Sequence, residues 1–225
     1  MEQRRDDRSF LGQPAWVWTA GALLLGFALT VTVTLAHHAA LAKAERAQFD
    51  RVAERSFDAV AGRLHDCGTL VRSVQSVFLA SEDVTADEFR HLYTNLRPRE
   101  LFPSLQAMAV AMREPRDGQD HFITTRVAPV AGNERLHGLD IASQPANLAA
   151  LLYSRDTDLP AMSASFQLVQ RIGKFGPADG VIIRLPVFTP GPPPASVAER
   201  RARFAGSLAA SFRVSTLISS ALPDE

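Results

Sequence analysis

Residues 132–143, GNERLHGLDIAS, gather Arg135, His137 and Asp140 into one short stretch that opens on Gly132-Asn133 and closes on Ser143. An imidazole near a carboxylate is the raw material of general acid–base catalysis. A hydrolase using His121 and a nearby acid is accordingly one reading. The stretch itself argues for scaffolding. Gly132-Asn133 supplies the turn chemistry that follows a strand, and Asp140 or Ser143 would cap a helix that Pro145 helps to start. It is expected to shape a site rather than to react in one.

Other chemistries fail on spacing. GKFG at 173–176 lacks the length and terminal hydroxyl of a phosphate loop, and Ser207 in AGSLA lacks the second glycine of a nucleophile elbow. HExxH is absent and the six histidines are scattered. His37-His38 point to different helix faces, and His65, Asp66 and His91 fall on polar ones. EPRDGQD (114–120) lacks calcium-loop spacing and reads as a hairpin turn. The expectation is no catalytic residue, no metal site and no cofactor.

The chain that must hold these residues has 225 of them, with 24 Lys+Arg against 24 Asp+Glu. That balance leaves no basic face for nucleic acid. Cys67 is the single cysteine, which excludes an internal disulfide. Ala15 to Ala36 carries no charge, and at about 1.5 Å per residue it spans the roughly 30 Å of a bilayer core. Trp16 and Trp18 stand where an interfacial aromatic belt would. Ala40-Leu41-Ala42 would suit a signal peptidase, but signal cores run about 7–15 residues, so an uncleaved anchor is expected after a cytoplasmic tail, 1–14. Arg4, Arg5 and Arg8 before the span and Lys43, Arg46 and Arg51 after it leave its orientation open by charge.

Residues 37–80 read as a helical stalk. Phe57, Val60, Leu64, Cys67, Val71, Val74 and Phe78 recur at steps of three and four and form one helical stripe. The stripe either packs against its own domain or forms the seam of a parallel dimer, and the two can hold over different turns. Cys67 on that stripe reads as a small buried side chain. Thr85 and Glu88 then make a capping box, flanked by Val84 and Phe89 as a hydrophobic staple, and that helix ends before Pro98. Residues 105–113, 121–130, 165–170, 180–188 and 204–213 read as strands, and 146–154 as a short helix. The expected fold is α+β: a transmembrane helix, a long stalk and a PAS-like antiparallel five-stranded sheet with flanking helices.

Five segments in order resemble the CHASE sensory domain of membrane-bound kinases and cyclases. They are FPSLQAMAVAMRE (102–114), GNERLHGLDIASQPANLAALLYSRDTD (132–158), FQLVQ, GVIIRLPVF and FAGSLAASFRVSTLISSAL. With the anchor and stalk, the resemblance covers nearly all of residues 15–222, the sensory part being 81–222. It implies an extracytoplasmic domain on a dimerising helix, with two PAS-like subdomains and a small ligand in the membrane-distal one. A second span and a cytoplasmic histidine kinase or cyclase are implied beyond Glu225, so the chain resembles the sensory front of a larger receptor.

The resemblance also implies where a ligand would sit. Asn147 stands where the plant cytokinin receptors carry an aspartate on the adenine edge, and Ile141 where they carry a methionine. Val169 replaces a leucine, Arg184 a threonine, Ser207 a tyrosine and Ala210 a glycine. The family's RDTG reads Arg155-Asp156-Thr157-Asp158 here. These departures argue against adenine-type ligands. Arg184, a charge inside an apolar strand, either faces out on alternate spacing or faces the pocket, where it would select an anion such as a carboxylate.

The expected function is therefore small-ligand sensing by a membrane-anchored, stalk-mediated homodimer in the inner membrane, without catalysis in this chain. The alternative is a single-span interaction protein that binds a partner or pairs with full-length receptors.

Overall fold

The computed structural model describes residues 15–170 and 179–221. The tail 1–14 and the GKFG stretch lie outside them. The chain forms two compact units, Met1–Arg55 and Ser56–Glu225. Helix α1 covers Ala15–Ala80 and contributes to both.

In the first unit α1 is long and apolar enough to cross a membrane, and its most apolar window is not buried against protein. Leu23, Leu24, Leu25, Phe27 and Leu29 are all exposed. Thr30 and Thr32 donate their hydroxyls to the Gly26 and Ala28 carbonyls one turn back, 2.8 Å each. A polar side chain satisfied within its own helix suits hydrocarbon surroundings.

The second unit is an antiparallel sheet with helices on both faces. After α1 come α2 (Ala86–Leu96), α3 (Pro98–Leu101), β1 (Leu105–Arg116), β2 (Gln119–Ala128), α4 (Pro145–Thr157), β3 (Ala161–Met162), β4 (Phe166–Gln167), β5 (Asp179–Phe188), α5 (Val197–Ala202), β6 (Phe204–Arg213) and α6 (Val214–Ala221). The strand order is β2-β1-β6-β5-β3, with β4 also pairing β5. The strand expected over 165–170 is thus only the two residues of β4, and β3 is a further short strand on the same edge. β3 lies opposite Ile183 and Arg184, and β4 opposite Asp179 and Gly180. Between them Ser163 breaks the ladder, its hydroxyl accepting from the Ile182 N–H at 3.0 Å.

Local chemistry sets the remaining boundaries. Asp117 and Gly118 both take positive φ, 50° and 75°, and so close the β1–β2 hairpin with the two-residue turn that strand twist favours. Thr85 and Glu88 make the reciprocal capping bonds of α2, and Val84 and Phe89 are buried around them. Arg97, left-handed, ends α2 before Pro98.

One sheet face, with Met108, Val110, Leu185, Leu208 and Phe212, packs against Cys67, Val71, Val74 and Phe78 of α1 and Phe89 of α2. Phe78 and Phe89 meet edge-on, 6.1 Å between centroids. Val71, Val74 and Phe78 are therefore core of their own domain and not a dimer seam, because fully buried side chains have no surface left to share. Phe57 is 73 % exposed, and Val60 and Leu64 are half-buried, so surface remains only on the earlier turns. Burial pushes the Cys67 thiol up to about 12.

Candidate functional site

The other sheet face supports the site. β5 is buried along both faces from Gly180 to Phe188, as expected of a strand covered on both sides. The outward placement of Arg184 therefore fails, since β5 has no solvated side. Arg184 is 2 % exposed, opposite Ala209 in the register, and it enters the space between the sheet and α4. Its Nε donates to Asn147 Oδ1 at 2.7 Å. Asn147 Nδ2 donates in turn to Gln144 Oε1 at 2.7 Å, so a polar chain runs from the guanidinium to the half-buried start of α4.

Around Arg184 lies a cavity of about 20 Å³, lined by Ala107, Ala109, Thr124, Leu136, Leu139, Ile141, Gln144, Asn147, Phe166, Leu168, Val169, Gln170, Ile182, Ala209 and Ser211. That volume holds about one water molecule. Arg184 is the one ionisable side chain among the described lining residues. Arg184 Nη1 and Gln170 Oε1 are buried without hydrogen-bond partners. Burial pushes the guanidinium down to about 9, which leaves it charged at neutral pH. A buried cation without a carboxylate loses hydration worth several kcal/mol, and one amide returns only part of it.

Of the six positions that the family resemblance suggested, Ile141, Asn147, Val169 and Arg184 line this one cavity. Ser207 and Ala210 do not. Ala210 pairs with Met108 and Ile183 and faces the α1 side of the sheet. The Ser207 hydroxyl donates to the Leu185 and Leu208 carbonyls, both at 3.3 Å, beyond the cavity. Ala209 and Ser211 line it instead. Side chains alternate along a strand, so one residue of register puts Ala210 on the opposite face from Ala209, while Ser207 shares the Ala209 face and lies further along it.

Sequence reasoning missed Thr124 and Gln170. The β1–β2 register shifts between Val110↔Arg126 and Ala111↔Thr124, leaving Thr125 as the extra residue and turning Thr124 toward the cavity, as a bulge does. Gln170 Nε2 donates to Ser211 Oγ at 3.0 Å. It lay in a segment read as regular strand, where alternation gave no sign of a buried glutamine.

The GNERLHGLDIAS stretch builds a wall. Gly132 and Gly138 take φ of 80° and 77°, and Leu136, Leu139 and Ile141 are turned into the cavity. Asp140 caps the short 3₁₀ turn Ile141–Ser143 and not α4, whose N-cap, Gln144, makes no side-chain cap bond. Its carboxylate accepts from the Phe122 N–H at 3.2 Å and the Ala142 N–H at 2.9 Å and meets His121 Nδ1 at 2.6 Å. Burial raises its pKa, but the bonds from His121, Ala142 and Phe122 outweigh that and hold it low. The imidazole–carboxylate pair thus exists, and the carboxylate is spent on fastening this stretch to β2. No hydroxyl or thiol among the described residues hydrogen-bonds to His121.

α4 also reaches the other face of the domain. Its C-cap, Asp158, is left-handed and accepts from Arg72 Nη1 at 2.9 Å. Arg72 Nη2 also bonds the Asp158 carbonyl. Gln75 donates to Asp158 at 3.4 Å and to the Pro186 carbonyl of β5 at 2.6 Å. One helix therefore carries the partner of Arg184 near its start and a clamp on α1 at its end.

A family model, the CHASE domain, matches residues 82–225, well over half of the chain. A comparison with curated proteins found no match.

Proposed function

The chain belongs to the CHASE-domain family, extracellular sensory domains of signalling receptors, and from that premise we propose that it senses a small molecule in the cavity beneath α4. The observation that carries this reading is Arg184, buried in the cavity wall with Nη1 unpartnered. Binding sites pair an apolar wall with a few fixed polar groups, and such a donor is stabilised by an occupant. A candidate spanning helix with a CHASE domain points to a membrane-anchored sensor. An inner-membrane position and an extracytoplasmic domain belong to the proposal.

In this reading the wall at Phe166–Gln170 moves outward to admit an occupant larger than a water. Only the two residues of β4 pair that wall with the sheet, so the displacement costs few backbone bonds. Occupancy would reset the Arg184–Asn147 contact, and α4 would carry the change through Asp158 to Arg72 on the stalk. The stalk passes it on in a homodimer joined along Phe57, Val60 and Leu64, toward a cytoplasmic kinase or cyclase module. The work of this chain is binding and relay rather than catalysis, and its partners are the ligand, a second copy and the membrane rather than nucleic acid.

The test is a thermal-shift screen of small molecules on the full chain in nanodiscs, repeated on Ala209→Val, whose two added methyl groups fill the cavity. The expected result is a compound that stabilises the wild type, fails on the variant and alters hydrogen exchange in α4 and around Arg72. Stabilisation that survives the filled cavity would place the site elsewhere and overturn the reading.

A further inference from the structure

The geometry points to a small, singly charged organic acid as the occupant, its carboxylate held by the free edge of the Arg184 guanidinium. This inference rests on the pocket reading above and names the chemical class. Arg184 is 2 % exposed and Nη1 has no partner. Nε is engaged by Asn147, which fixes the guanidinium on one side and leaves Nη1 without a partner. A fixed planar donor suits a carboxylate better than a spherical ion.

Charge and polarity narrow the class. With no second ionisable group among the described lining residues, one negative charge neutralises the site and a second would be buried unpaired. Leu136, Leu139, Ile141 and Ile182 provide apolar surface for a carbon body, which an inorganic anion would leave unused. Gln170 Oε1 is a second unpartnered buried atom on the wall. It accepts a hydrogen bond, so a hydroxyl on the acid has a place to donate.

The experiment compares acetate, propionate, butyrate, glycolate and lactate with their primary amides, by thermal shift on the full chain at matched chloride. Acid and amide have nearly the same shape, and the pair isolates charge. At least one acid is expected to raise the midpoint with concentration up to about 50 mM, while its amide binds about tenfold more weakly or worse. Arg184→Met should abolish that discrimination. Arg184→Lys, which keeps the charge and loses the planar fork, should retain a weaker form of it and guards against a misfolded Met variant.

Equal shifts from acids and amides, shifts matched by chloride alone, acid binding that survives in Arg184→Met, or no acid binding would each overturn the inference. A neutral compound that stabilises the wild type but not Ala209→Val would leave the pocket standing and remove only the anionic class. Failure of every compound, charged or neutral, to respond to the filled cavity would remove the pocket as well.

Discussion

Asp158 closes α4 in the left-handed region, at φ 54°, and its carboxylate accepts a 2.9 Å bond from Arg72 on α1. Glycine adopts this conformation without strain. The aspartate exchanges that ease for an ion pair joining the cavity helix to the stalk. The pair is about one-third exposed on both sides, so its own worth is no more than about 0.5 kcal/mol. Asp158→Gly should lose no more than that. Asp158→Ala also strains the backbone and should be less stable than Asp158→Gly by about 1 kcal/mol in urea unfolding. Equal stabilities would mean that the strain is absorbed elsewhere.

A site kept for binding is expected to cost stability when empty. Replacing Arg184 and Asn147 together with Met and Leu removes a buried charge and its amide partner at similar volume. The double variant should unfold about 1–3 kcal/mol later than wild type in the absence of ligand. A less stable double variant would show that the Arg184–Asn147 pair holds the fold rather than a site.

Asp156 makes the domain sensitive to acid. Arg201 and Arg155 hold its carboxyl well below the usual carboxylate range, with contacts of 2.5 Å and 2.7 Å. A depressed folded value contributes stability fully above the unfolded pKa, near 3.9, and loses it as pH falls toward the folded value. Wild type should therefore lose about 1 kcal/mol relative to Asp156→Asn between about pH 5 and 3. Parallel pH curves for the two proteins would contradict the assignment.

The stalk stripe divides into two kinds of residue, and a charge tells them apart. Val71→Asp places a carboxylate in the core and should unfold the domain. Phe57→Asp should leave the melting curve unchanged within about 0.5 kcal/mol and reduce self-association in analytical centrifugation. An unchanged sedimentation profile for Phe57→Asp would count against the proposed dimer.

Cys67 is fully buried and its thiol is pushed up to about 12. Maleimide should fail to label it in the folded protein and label it fully in denaturant, since the thiolate is the reactive form. Labelling at native conditions would indicate that α1 separates from the sheet.

Much of the architecture was legible in order and type because it is encoded locally. An uncharged run long enough for a bilayer, a capping box at Thr85 and Glu88, an Asp-Gly hairpin and runs of β-forming residues each declare themselves within a few positions. The stripe from Cys67 to Phe78 identified a buried helix face, though not which protein surface buries it. GNERLHGLDIAS was legible as a turn that shapes a site, and His121 as a histidine with an unnamed acid nearby. That the acid is Asp140, 2.6 Å away across 19 residues, was not.

What only the tertiary structure decided was facing. Arg184 had two orientations in a strand of period two, and the helix laid over β5 removed the solvated one. One residue of register separates Ala209, in the cavity wall, from Ala210, in the core behind it, and no local signal carries that difference. The bulge at Thr125 and the break between β3 and β4 depend likewise on the strands beside them. Local sequence sets which elements form, whereas pairing between distant strands sets which side chains meet.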